Sequence, residues 1–217
     1  VRLFLTQIGA IAAIYLIIGA SAAVDLAGAA PQPSAPPVPA TGRDFRAAVW
    51  GQARSEIRRQ ETGAPYLDLG PLLGFRTTVA GQPCQVIYLF QDDQLCMGFY
   101  QWSDTNGQLA PYFGDAATRR EELVDAWGEP AIEHWDWDDP MFSEEPSERA
   151  QALGLGLVRY EMGWLTGRSL IALRLSGGSL KADLVVMYAD KTCFPAGQEL
   201  YGQFFANKVG EPQPYYR

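Results

Sequence analysis

The chain has one histidine, His134, in 217 residues. Any Ser–His or Cys–His catalytic pair must use that side chain. No Gly-x-Ser-x-Gly elbow is present, and Cys84 and Cys96 lie in strand-like runs without an activating neighbour. The three cysteines, Cys84, Cys96 and Cys193, match no zinc or redox spacing. Gly154-x-Gly156 and Gly177-Gly178 lack the lysine and the strand-to-helix setting of a phosphate loop. Positive charge is short: 17 Lys and Arg stand against 25 Asp and Glu, a net charge of −8. Phosphate contacts need Lys and Arg, so nucleic acid and anionic lipid headgroups are poor partners. No cofactor is expected. No internal repeat is visible.

What is present begins with an apolar run, Leu3 to Val24, broken by Thr6, Gln7 and Ser21. Arg2 supplies a positive flank. Ala20-Ser21-Ala22 and Ala27-Gly28-Ala29 each fit the small-x-small rule of signal peptidase. The same run has 22 residues, enough for a bilayer span of about 20. Residues 1–29 therefore read as a signal peptide or a membrane anchor. Residues 30–43 follow as a Pro- and Ala-rich linker that favours an extended state. This order predicts a chain outside the cytoplasmic membrane, in the periplasm or on the outer face of the inner membrane. Contact with the membrane would come only through the N-terminal segment.

Residues 44–208 read as a single α+β domain, with 209–217 as a disordered tail. Phe45, Val49 and Ile57 suggest a helix over 44–61, ended by Gly63 and Pro65. Leu67 to Phe75 reads as an apolar link. The clearest signal is the run from Cys84 to Trp102, strand–turn–strand about Asp92-Asp93. With that turn, residues whose numbers sum to 185 face each other, and Cys96 faces Leu89. Val86, Tyr88, Phe90, Leu95, Met97 and Phe99 then share a strongly apolar face, and the other face is mixed. Cys84 and Cys96 fall far apart on opposite faces, which argues against their pairing. Cys193 bonded to either, or three buried thiols, are both open.

A second helix is expected at 115–127, with Asp115 as its cap, Leu123, Val124 and Trp127 as its buried stripe, and Gly128 and Pro130 as its stop. Arg58-Arg59 and Arg119-Arg120 should face solvent. Ile132 to Trp137 reads as a strand and residues 138–150 as an acidic exposed loop. Strands are expected at Leu157 to Trp164, Ser169 to Leu175 and Asp183 to Ala189, with a short helix at Gln198 to Asn207. The fold class predicted is α+β: an antiparallel sheet of about five to six strands, helices packed on one face, preceded by the hydrophobic helix and linker.

From residue 70 to 190 the chain resembles small exported bacterial helix-on-sheet proteins. The resemblance lies in the hairpin, the helix end Leu123-Val-Asp-Ala-Trp127-Gly-Glu-Pro130, and later strands bearing Trp135, Trp164 and Tyr188. It is distantly similar to the helix-on-sheet modules of outer-membrane assembly lipoproteins. It departs from them in lacking a lipobox cysteine.

One stretch gathers candidate ligand-binding residues: His134, Trp135, Asp136 and Trp137, within Glu133 to Asp139. In a strand, His134, Asp136 and Asp138 share one face and Glu133, Trp135, Trp137 and Asp139 the other. One His with two carboxylates could contribute to a metal site, but the spacing matches no zinc or EF-hand motif. An exposed Trp could hold a protein or a sugar; the bland arrangement has the tryptophans inward and His and Asp in water. Paired carboxylates for glycoside hydrolysis could come from Asp136, Asp138, Glu144 and Glu145, but sequence does not set their separation. The expectation is a non-catalytic, exported or tethered envelope domain that binds a protein partner or supports envelope assembly. The alternatives are a periplasmic binder of a small ligand, sugar or metal, and a hydrolase of an envelope substrate.

Overall fold

The computed structural model describes residues 39–103 and 107–193. The N-terminal apolar run, most of the linker, the helix expected at 198–207 and the tail lie outside the described residues. Among these residues eight strands form one antiparallel sheet: β1 Leu67–Leu69, β2 Leu72–Val79, β3 Gln82–Gln91, β4 Gln94–Ser103, β5 Ile132–Trp137, β6 Val158–Leu165, β7 Ser169–Gly178 and β8 Lys181–Asp190. The three helices are α1 Arg54–Gln60, α2 Pro111–Trp127 and α3 Pro146–Leu155. The α+β class is as expected, with eight strands rather than five or six.

The strand order is β1-β2-β3-β4-β8-β7-β6-β5. Two four-stranded meanders therefore meet through their last strands, β4 and β8. Each meander follows a helix, α1 or α2. The arrangement repeats even though the sequence does not: packing fixes the pattern of apolar positions and leaves residue identity free.

The extra strands come from the stretch read as a link. Gly70, at φ 54°, turns β1 back onto β2, and Ala80-Gly81, at φ 50° and 80°, turns β2 onto β3. Conversely, the helix expected over 44–61 survives only as α1. Arg46 and Gly51 have φ of 52° and 82°, values no α-helix accommodates. The 44–53 segment is a tight loop instead. Asp44 accepts from the Trp50 backbone N–H at 2.8 Å, and Phe45 and Ala48 pair with each other. The acidic loop at 138–150 is also more ordered than its composition suggested. It contains a 3-10 turn, Pro140–Ser143, and the first half of α3, a helix started by Pro146 and ended by Gly156 in the left-handed conformation. In α2 the expected stop at Gly128 is present, but the helix begins earlier, at Pro111, and Asp115 accepts from Gln82 instead of capping it.

The β3–β4 register follows the expected sum of 185 only beside the turn, at Gln91↔Gln94 and Phe90↔Leu95. A bulge then shifts it, and Met97, not Cys96, faces Leu89. One extra residue reverses every side chain beyond it. Tyr100 and Trp102 therefore join the main core, while Met97 and Phe99 turn to the opposite face.

The main core lies between the sheet and the helices. Ile57, Ala116, Leu123, Ala152 and Leu153 from the helices meet Tyr88, Tyr100, Ile171, Leu173 and Tyr188 from the strands. All three helices thus cover one face, as expected. Trp127 departs from its expected buried stripe and is about one-third exposed. The second face was expected to be mixed, yet its centre is apolar and buried, with Ile87, Leu89, Phe99, Ala172 and Ala189 each under 9 % exposed.

The Cys96–Cys193 disulfide joins the bulge to the chain just beyond β8, with Cα atoms 5.6 Å apart. The β4–β8 register brings them together, since Met97 faces Ala189. Cys84, near the opposite end of β3, is a buried free thiol, and burial pushes its pKa up to about 12.

Candidate functional site

All four candidate residues lie on β5, the last strand of the sheet. β5 pairs with β6 on one side, and among the described residues no strand pairs with its other side. The opposite end of the sheet is blunted differently: β1 has only three residues. Short edges are one way proteins discourage further pairing. β5, with six residues, is the longer unpaired edge.

Strand alternation divides the four side chains. Trp135 and Trp137 point to the helix side, and His134 and Asp136 to the other. Trp137 packs against the core, whereas Trp135 keeps 39 % of its surface exposed. Its ring is nearly parallel to three others: Tyr160 at 4.2 Å, Phe113 at 5.7 Å and Trp137 at 5.9 Å. On the opposite face His134 Nε2 lies 3.6 Å from Glu161 Oε2. The tryptophans and the His–Asp pair therefore do not converge on one ligand. Among the described residues no three His, Cys, Asp or Glu side chains come together as a metal site.

Sequence reading missed the group that fixes the edge. Arg120, expected to face solvent, donates from Nε and Nη2 to the two carboxylate oxygens of Glu133 at 2.8 and 2.9 Å. Tyr160 Oη donates to Glu133 Oε1 at 2.7 Å. A bidentate, charge-assisted pair fixes direction as well as distance. It ties α2 to β5 two residues before Trp135, on the same face of the strand, and Tyr160 is itself the ring under Trp135. Hydrogen bonding from Arg120 holds the Glu133 carboxyl below its usual value. The only signal in the sequence was the helix-then-strand order, which does not state which arginine meets which carboxylate.

Arg119 was also expected in solvent and is instead 3 % exposed. Its guanidinium lies 5.4 Å from the centre of the Trp102 ring and donates to Glu122 at 2.8 Å. Its Nε and the Trp102 Nε1 are buried without a partner among the described residues. On the same side of the domain Arg46 is bonded through both Nε and Nη2 to Glu61, whose Oε1 also accepts from Tyr88 Oη. These groups brace the core. An open depression between residues 107–111 and Ala150–Gln151 has no charged side chain in its lining.

No family model, curated protein or solved structure matches the chain.

Proposed function

We propose that the chain is a non-catalytic, exported cell-envelope domain that engages a protein partner along the β5 edge. The observation that carries this reading is a six-residue edge strand, unpaired on its outer side among the described residues, with a partly exposed tryptophan near its centre. A partner segment adding to such an edge would use main-chain hydrogen bonds for affinity and alternate side chains for specificity. Trp135 suits the role because a Trp supplies large contact area with little rotamer entropy to lose. The Arg120–Glu133–Tyr160 group holds the strand in place beforehand, which reduces the ordering cost of binding. A disulfide supports an oxidising compartment, in keeping with the export segment.

The test is site-specific photocrosslinking in cells that export the full chain. A crosslinker in place of Asp136 should yield a discrete protein adduct that Trp135→Ala reduces. The same group in place of Lys181, at the β7–β8 turn, should not. Absence of an adduct at 136, or equal labelling at both positions, would overturn the reading. So would turnover of an envelope substrate that His134→Ala abolishes.

A second reading is favoured by the exposed rim of Trp135: a sugar ring stacked on it. Glycan binding lost in Trp135→Ala but kept in Asp136→Ala would favour the sugar over the protein partner.

A further inference from the structure

The second face of the sheet poses a problem that the β5 reading leaves untouched. Phe99 is 4 % exposed there, Ile87 3 % and Leu89 7 %. Side chains standing on a sheet open to water are not hidden to that degree, yet all three described helices pack on the other face. Tyr66 covers only one border of the second face, beside Gly74 and Gln85. An apolar strip across β3, β4, β8 and β7 requires something on it, since a large exposed apolar patch is costly in a soluble domain.

We propose that the chain's own C-terminal segment, residues 194–217, docks on this face. Three observations select it. Cys193 is bonded to Cys96, at the bulge bordering the strip, so the segment starts there. The described chain begins on the other side, where Phe45 fills the helix face. And the segment is apolar in a helical pattern: Leu200, Tyr201, Phe204 and Phe205 recur at i, i+1, i+4 and i+5, flanked by Gln198, Gln203 and Asn207. A helix from Gln198 to Asn207 would be about 15 Å long. Four strands are about 14 Å across from first to last. The stripe and the strip match in length and in chemistry. Because the disulfide confines the segment next to its site, docking is effectively intramolecular and needs little intrinsic affinity.

The full-length oxidised protein, with a benzophenone side chain in place of Phe204, tests this. Irradiation should give a crosslink within one chain to Met97, Met187 or Phe99, with a yield independent of protein concentration. A crosslink between two chains would assign the face to a second copy and overturn the proposal. A crosslink to the helix side, or none, would also overturn it. The variant Leu200→Asp/Phe204→Asp provides a second readout that leaves the sheet's own residues intact. It should raise the fluorescence of a hydrophobic dye severalfold at unchanged far-ultraviolet circular dichroism; unchanged dye binding would contradict the docking. Both readouts are independent of Trp135, so this result and the β5 result can fail separately.

Discussion

Phe45 reaches the middle of the main core only because residue 98 has no side chain. A Cβ placed on Gly98 would lie 2.0 Å from Phe45 Cδ1 and 2.5 Å from its Cγ, far inside van der Waals contact. The ring also meets Tyr88, Tyr100 and Tyr188 with centroids 5.2, 5.1 and 5.7 Å away, so it has little room to move aside. Gly98→Ala should therefore destabilise the domain, although alanine normally suits a strand no worse than glycine. Overpacking of this kind costs about 1–3 kcal/mol. Denaturant titration should show an earlier midpoint at unchanged slope. Phe45→Ala combined with Gly98→Ala should lose less than the two single changes added together, because the second change removes the clash made by the first.

At the scale of elements, the Arg120–Glu133 pair ties α2 to β5 and makes that attachment pH-dependent. The Glu133 carboxyl is held below its ordinary value of 4.5, first by the hydrogen bonds from Arg120 and then by the one from Tyr160. A carboxyl depressed in the folded state adds stability that is complete above the unfolded value and fades as pH falls through the folded one. The contribution should thus be full at neutral pH and decline below about 4.5. Melting temperatures measured from pH 6 to 3 should fall less steeply for Glu133→Gln than for the natural chain; parallel curves would show that the pair has no such role. Elements of this kind were unevenly legible in the sequence. β3 and β4 were readable because alternation and a polar Asp-Asp turn coincide. β5 to β8 were readable for the same reason, to within a few residues at their ends. β1 and β2 were not, since Gly70, Pro71 and Gly74 suggested a break where two of them form a turn and the third makes room for Tyr66. The 44–53 loop had helical spacing, but loop hydrogen bonds from Asp44 and Trp50 override that periodicity. The candidate residues were all placed correctly on one strand. Its position at the edge was not legible, because strand order depends on pairings between residues far apart in the chain.

At the scale of the whole molecule, two meanders are held together by the β4–β8 ladder and by one covalent bond across it. The Cys96–Cys193 disulfide spans a sequence separation of 97 residues, so it links the last strand of the first meander to the end of the second. Cross-linking so long a loop restricts the unfolded chain strongly, an effect of about 2–5 kcal/mol. Cys193→Ser should lower stability within that range. The loss should be largest in the β4–β8 ladder and in the second face, where hydrogen exchange would report it strand by strand. Thiol counting checks the pairing itself. The native protein should show no reactive thiol, because Cys84 is buried and its thiolate is disfavoured. Denaturation without reductant should reveal one thiol, and reduction should reveal all three. Three thiols without reductant would mean that the bond is absent from the purified protein. In that case only the main chain leaving β8 at Asp190 would keep residues 194–217 near the second face, and docking there would rest on apolar contact without the disulfide's restraint.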